Sequence, residues 1–217
     1  MIALDIFVDP ICPWCLIGKH LLDDALMRHP DHPFAINWLP FQLNPDMPTE
    51  GMDRRAYLEA KFGGRAEATK IYAEIDQHAR DAGLVINFAA IGRTPNTLNA
   101  HRLIHWAGIE GRQQAVVSFL FEAYFQNGQD IGDVVVLTAI AERAEMDVGV
   151  ITRLLASEAD ADTIRDSDIH ARERGVTGVP TFILANTHVV VGAQPTALWE
   201  KVIAELKGHA QAPQRLQ

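Results

Sequence analysis

Cysteine is nearly absent from this chain: its 217 residues hold two, Cys12 and Cys15. A pair cannot make the multi-bridge framework of a small secreted domain, and it is half of what a four-cysteine zinc site needs. Long apolar runs are missing too. The longest uncharged one, 134–141 with Thr138 inside it, is far short of the roughly 20 residues that span a bilayer. No basic run exceeds Arg54-Arg55, and the formal net charge is -9, which argues against binding a nucleic-acid backbone. A glycine-rich phosphate loop is lacking. Gly63-Gly64 is not followed by Lys-Ser/Thr, and the 175–178 glycines lead into a strand-like stretch, so a nucleotide-dependent enzyme is unsupported. The first eight residues carry no positive charge, no long apolar core and no small-residue cleavage site. They do not read as a secretory signal, and the expectation is a cytoplasmic protein without a membrane partner.

What is present is an ordinary globular composition, 48% apolar and 22% charged, in a chain long enough to bury a substantial core. Residues 2–8 alternate and end in Asp9-Pro10, a strand followed by a turn. From 13 to 28 the apolar residues Leu16, Ile17, Leu21, Leu22 and Leu26 recur at helical spacing, with Pro13 in the first turn, where its missing donor costs nothing. Residues 34–41 read as a second strand. The stretch 42–53, with Pro45, Pro48 and Gly51, reads as a linker. Helical periodicity alone follows, predicting helices over 54–62, 66–82, 97–107, 113–126, 133–143 and 148–155. Ser157 to Asp160 resembles a capping box with Asp in the Glu position and predicts a helix onward to 174. Strands 181–184 and 188–191 then form a hairpin. A last helix runs from 195 or 196 to 207, and the tail 208–217 is expected to fray. The order βαβ, helical block, αββα predicts one α/β domain (1–42 and 175–207) interrupted by a helical insertion with its connecting helix (43–174).

The sequence Cys12-Pro13-Trp14-Cys15 falls at the junction of the first strand and first helix. The thiolate is the attacking species in disulfide exchange, and a helix N-terminus favours it. Cys12, just outside the helix, is the expected exposed nucleophile. Cys15, one turn inside, is the expected buried resolving thiol. Asp9 would oppose ionisation if its carboxylate came close. A zinc site competes with this reading, yet His20, His29 and His32 lack finger-like spacing, and no metal is expected. A far-off signal agrees: Val179-Pro180-Thr181 places proline just before a strand, a candidate cis peptide bond.

With these residues in view, the chain resembles the DsbA family of thioredoxin-fold oxidoreductases. More narrowly, 9–19 and 175–182 are similar to its cytoplasmic, FrnE-type branch, associated with polyketide biosynthesis. The stretches 94–103 and 123–131 of the insertion are also similar. The resemblance implies a thioredoxin fold, a cis Val179–Pro180 bond beside the cysteines, and a Val179 backbone that pairs with a substrate peptide or glutathione. It implies a redox-active Cys12–Cys15 disulfide, no bound cofactor, glutathione as candidate co-substrate, and Pro13, Trp14, Val179 and Pro180 at the substrate. Thiol or disulfide substrates, whether protein, glutathione or small molecule, are the expected partners of a protein disulfide oxidoreductase of this kind, with the oligomeric state open, a dimer included. Trp14 stands where the secreted enzymes carry His, so a strong-oxidant role does not transfer. Kappa-class glutathione transferases and 2-hydroxychromene-2-carboxylate isomerases form the alternative, although these carry Ser where Cys12 stands. A peptide-binding module without enzymatic activity is the third reading.

Other polar groups read as structural. His101 and His105, four apart on one helix, are expected on its surface. Asn96 and Asn99 are expected at a helix start, and Asp160 and Asp162 in a negatively charged first turn. Trp38, Trp106, Trp199, Phe119, Phe121, Tyr124 and Phe125 are assigned to the core or to a cleft lining. Trp14 is expected to be partly exposed.

Overall fold

The computed structural model describes residues 1–211. Strand β1 (Ile2–Val8) is central and largely buried. It pairs in parallel with β2 (Phe34–Pro40), in a register that sets Ile2 against Phe34 and Val8 against Pro40. Parallel neighbours need a crossover, and α1 (Pro13–Arg28) supplies it. On its other side β1 runs antiparallel to β5 (Thr181–Leu184), which forms the expected hairpin with β6 (His188–Val191). The sheet order is β2-β1-β5-β6. Helix α1 packs against the last helix, α9 (Thr196–Gln211). Trp199 of α9 is fully buried edge-on to Phe182 of β5, with ring centroids 4.8 Å apart.

Between β2 and β5 lie α2 (Arg54–Phe62), α3 (Arg65–Asp81), α4 (Leu98–Ile109), α5 (Gln113–Phe125), α6 (Val134–Arg143), α7 (Val148–Leu155) and α8 (Ala161–Glu173). Asp53, Asp133 and Asp147 cap three of them by accepting first-turn amides, as short polar side chains at that place do. Buried Phe121, Tyr124, Phe125 and Trp106 fill the centre of this block. Their apolar cluster runs on without a break through Cys12 and Cys15 to Leu4 and Ile6 of the sheet. Burial of such aromatic and aliphatic surface is the dominant stabilising contribution.

Four expectations are corrected. The stretch 42–53 is not all linker: β3 (Met52–Asp53) pairs antiparallel with β4 (Arg93–Thr94). Gly51 precedes this pair at φ 70°, where a Cβ would meet the Thr94 carbonyl oxygen at 2.6 Å. Only glycine fits so close an approach. The capping box at Ser157 does not form. Helix α8 starts three residues later than a box at Ser157 would place it, after Asp160 in the left-handed region, and the Leu154 and Ser157 carbonyls accept instead from Arg102. His101 is buried, not on the surface. Finally, α9 continues through 208–211, while 212–217 of the expected frayed tail lie outside the described residues.

Candidate active site

The end of β1 and the start of α1 build the site. Val8 closes the strand, and Asp9, Pro10 and Ile11 turn the chain so that the Cys12 amide donates to the Asp9 carbonyl at 2.9 Å. Cys12 is the N-cap of α1, in extended conformation, and its carbonyl accepts from the amides of Cys15 and Leu16. Its side chain makes no capping hydrogen bond. Pro13 takes the first helical turn, as expected.

The chain returns to this place 167 residues later. The Val179–Pro180 bond is cis, and the Cys12 thiol donates to the Val179 carbonyl at 3.6 Å. Thr181 Oγ1 steadies the loop by donating to the Gly178 carbonyl at 2.7 Å. Gly18 lets α1 lie against it, since a Cβ there would sit 3.0 Å from Pro180 Cγ. All six sequence-derived site residues therefore meet in one region. Pro13 and Trp14 lie between the two sulfurs in the chain, Val179 meets Cys12 through its carbonyl, and the Pro180 ring lies against Gly18 of α1. Trp14 is half-buried as expected, its ring 5.0 Å from that of His78 on α3.

One placement differs. Cys12 was expected to be exposed, yet only 4% of its surface is accessible, because α2 and α3 roof it. The sulfur opens instead onto a cavity of about 270 Å³. Ile11, Trp14, Leu43, Phe62, Ile71 and Ile75 give this cavity apolar walls, and Arg54, Tyr57, Lys61, Tyr72, Thr94 and Tyr124 add polar groups. Cys15 is fully buried behind Cys12. Burial pushes its thiol well above the ordinary range, and the neighbouring Cys12 adds to the rise.

Asp9 lies buried in the turn before Cys12, outside the cavity wall. It is fully buried, with Oδ1 accepting from the Ile11 amide at 3.3 Å and Oδ2 from the Leu43 amide at 2.7 Å. Burial raises its carboxyl to about 7, against the opposing pull of those two amides, Thr97 and the charge of Lys61. The Asp9 charge also holds the Cys15 thiol up, while the Asp9 amide lowers it. The sequence suggested that Asp9 would matter only if it approached Cys12. The structure couples it to Cys15.

Arg54 escaped sequence reasoning altogether, beyond being counted in the longest basic run. At 7% exposure its guanidinium lies 4.9 Å from the ring centroid of Tyr72 and 5.7 Å from that of Phe88. Nη1 donates to Tyr124 Oη at 3.1 Å, and Nη2 is buried without a partner. No local motif signals it, since residues 12, 54, 72 and 124 meet only in the folded chain. Among the described residues, no three His, Cys, Asp or Glu side chains converge as a metal would require, and no helix is long and apolar enough to cross a membrane.

Comparison with known proteins agrees with this architecture. A probable DsbA oxidoreductase from Streptomyces coelicolor superposes with a TM-score of 0.84 at 27% identity, covering 100% of this chain and 94% of its own. A 2-hydroxychromene-2-carboxylate isomerase matches with a TM-score of 0.72 at 18% identity over 97% of this chain and 100% of that one. The cytosolic disulfide reductase DsbM from Pseudomonas aeruginosa, solved with GSH, gives 0.67 at 16% over 97% and 100%. The last two likenesses speak to the fold alone. Residues 3–204 match the DSBA-like thioredoxin domain, and the chain belongs to that family.

Proposed function

We propose that this protein is a thiol–disulfide oxidoreductase in which Cys12 attacks and Cys15 resolves. The observation that carries the reading is the paired geometry at the mouth of α1. One sulfur faces a cavity and the Val179 carbonyl of the loop before β5 at 3.6 Å, and the second is buried one turn further in. The Cys12 thiolate forms a bond to one sulfur of a substrate disulfide and expels the other as a thiolate. Cys15 then attacks the Cys12 sulfur, releasing the second substrate thiol and leaving the Cys12–Cys15 disulfide. Two electrons pass from protein to substrate, and an external thiol such as glutathione returns them.

Cys15 must lose its proton for the second step, and burial works against that. Asp9 answers the need. Its carboxyl near 7 is matched to accepting a proton at neutral pH, and its charge acts on Cys15. The Val179 carbonyl and the Pro180 ring hold the substrate's sulfur-bearing end against Cys12, with Pro13 and Trp14 along the opposite wall. The division into a thioredoxin-like part (1–42 and 175–207) and a helical roof (43–174) follows, the roof supplying α2 and α3 over the sulfurs. We place the reaction in the cytoplasm.

The isomerase reading remains the alternative, and Cys15→Ser separates the two. Incubated with a small disulfide and glutathione, a dithiol exchanger with this change accumulates a mixed disulfide on Cys12, visible by mass spectrometry, and loses turnover. An isomerase would keep most of its activity. Cys12→Ser abolishes exchange in the proposed mechanism, and retained exchange would refute it.

A further inference from the structure

Arg54 is unusual in its isolation. It is 7% exposed, it lines the cavity onto which the Cys12 sulfur opens, and its Nη2 has no hydrogen-bond partner. A buried guanidinium nitrogen without a partner is costly unless something completes it. Nothing in the cavity wall does so: its residues include two cations, Arg54 and Lys61, and no carboxylate. This holds in a chain whose net charge is -9, so the local sign opposes that of the protein as a whole. Lys61 Nζ is turned to Tyr57 Oη at 2.6 Å, which leaves Arg54 as the deep cation. Its guanidinium is held in orientation by the Tyr72 and Phe88 rings and by Tyr124.

The cavity also limits size. Cys12 is 4% exposed beneath α2 and α3, and about 270 Å³ is open beside it. A second, more open cavity of about 670 Å³ shares Arg54 and Tyr72 with the first. That space suits one small molecule with its far end in the outer cavity. A folded protein's disulfide could not reach the sulfur without displacing the roof.

We propose that Arg54 is a carboxylate-binding residue for a low-molecular-weight disulfide substrate, one carboxylate docking on its free Nη2 while the disulfide meets Cys12. This rests on the exchange mechanism given above and names its substrate class. Chemistry is unchanged: the Cys12 sulfur bonds to one sulfur of the small disulfide, and the other departs as a thiolate. Arg54 touches the substrate's carboxylate and takes no part in the proton or electron transfers.

The test compares two aromatic disulfides, 5,5′-dithiobis(2-nitrobenzoate), which carries two carboxylates, and the neutral 4,4′-dithiodipyridine. Second-order rate constants with the reduced protein are followed by thiol release. A charged hydrogen bond of this kind corresponds to roughly 10- to 100-fold in rate. Arg54→Met, which keeps the stem, is expected to slow the anionic probe by that factor and the neutral probe by less than about two-fold. Arg54→Lys, which keeps a charge without the fork, should recover part of the loss. Because Arg54 also packs between rings, a second measurement guards against a folding defect. In the unaltered protein, 2-nitrobenzoate, which has no sulfur to exchange, should protect Cys12 from alkylation by neutral iodoacetamide, and 2-nitrobenzamide should not. Equal slowing of both probes by Arg54→Met, or no protection by the carboxylate, overturns the Arg54 assignment while leaving exchange at Cys12 standing. Failure of the unaltered protein to react with the neutral probe would instead overturn the oxidoreductase reading itself.

Discussion

Replacing Asp9 by Asn should remove a stability contribution that this carboxyl makes at pH 5 and loses by pH 7. The carboxyl is fully buried, and burial raises it from 3.8 to about 7. The unfolded chain ionises it near the ordinary value, so the folded state binds the extra proton across that interval. Stability from this group is complete below the unfolded value and is lost as pH rises through the folded one. A rise from 3.8 to about 7, at about 1.36 kcal/mol per unit, removes roughly 4 kcal/mol in all, and roughly 2 kcal/mol of it between pH 5 and pH 7. Asn offers one acceptor where Asp9 serves two amides, Ile11 and Leu43, which costs about 1 kcal/mol at every pH. The slope with pH is therefore the diagnostic quantity. Urea unfolding at a series of pH values, in a Cys12→Ser/Cys15→Ser background so that no thiol titrates, measures it. Subtracting the curves with and without Asp9→Asn should leave a difference that grows by roughly 2 kcal/mol over those two pH units. Parallel curves would refute the raised carboxyl and, with it, the role of Asp9 as acceptor of the Cys15 proton.

Two further outcomes follow from the same geometry. Gly18→Ala pushes a methyl to 3.0 Å from Pro180 Cγ and should cost about 1–3 kcal/mol, as overpacking does. It should also slow exchange with a neutral disulfide by shifting the loop against Cys12; unchanged stability and rate would show that this contact yields freely. His101, fully buried with Nε2 unpartnered, is lowered by burial from 6.5 to about 4 despite the nearby charge of Asp168. Its depressed value means stability is held above pH 6.5 and lost as pH falls toward 4, by roughly 3 kcal/mol at about 1.36 kcal/mol per unit. His101→Gln should flatten the acid limb of the unfolding profile over that window, and an unaltered limb would count against a buried neutral imidazole.

Most of the architecture was readable from local pattern. Glycine and proline punctuate the chain so regularly that β1, α1, α2, α7, β5 and β6 match their predicted bounds and most other elements fall within a residue or two. What escaped lies beyond local pattern. The β3–β4 pair has two residues per strand, too few to show a period. Helix α4 buries Ala100 to Ile104 and again Trp106 and Ala107, so His101 faces the interior although its neighbours gave no single apolar stripe. At Ser157 the hydroxyl donates to the Leu154 carbonyl and accepts from the Ala159 amide, which keeps it in the turn after α7, and Arg102, 55 positions away, takes the Ser157 carbonyl. The cysteine motif marked the strand–helix junction where the two thiols lie, and the Val179-Pro180 stretch supplied the carbonyl that meets Cys12. The roof that buries Cys12 and brings Arg54 into its cavity depends on long-range packing of α2, α3 and α5, which no motif encodes.

The most direct test of the account is the mass of the protein after equilibration with glutathione redox buffers, acid quenching and alkylation of free thiols. Reversible exchange between Cys12 and Cys15 predicts one transition, from a species alkylated at both cysteines to one alkylated at neither and two hydrogens lighter than the unalkylated reduced protein. Persistent alkylation of both cysteines across the whole range of buffers, or capture that stops at one glutathione with Cys15 still free, would contradict it.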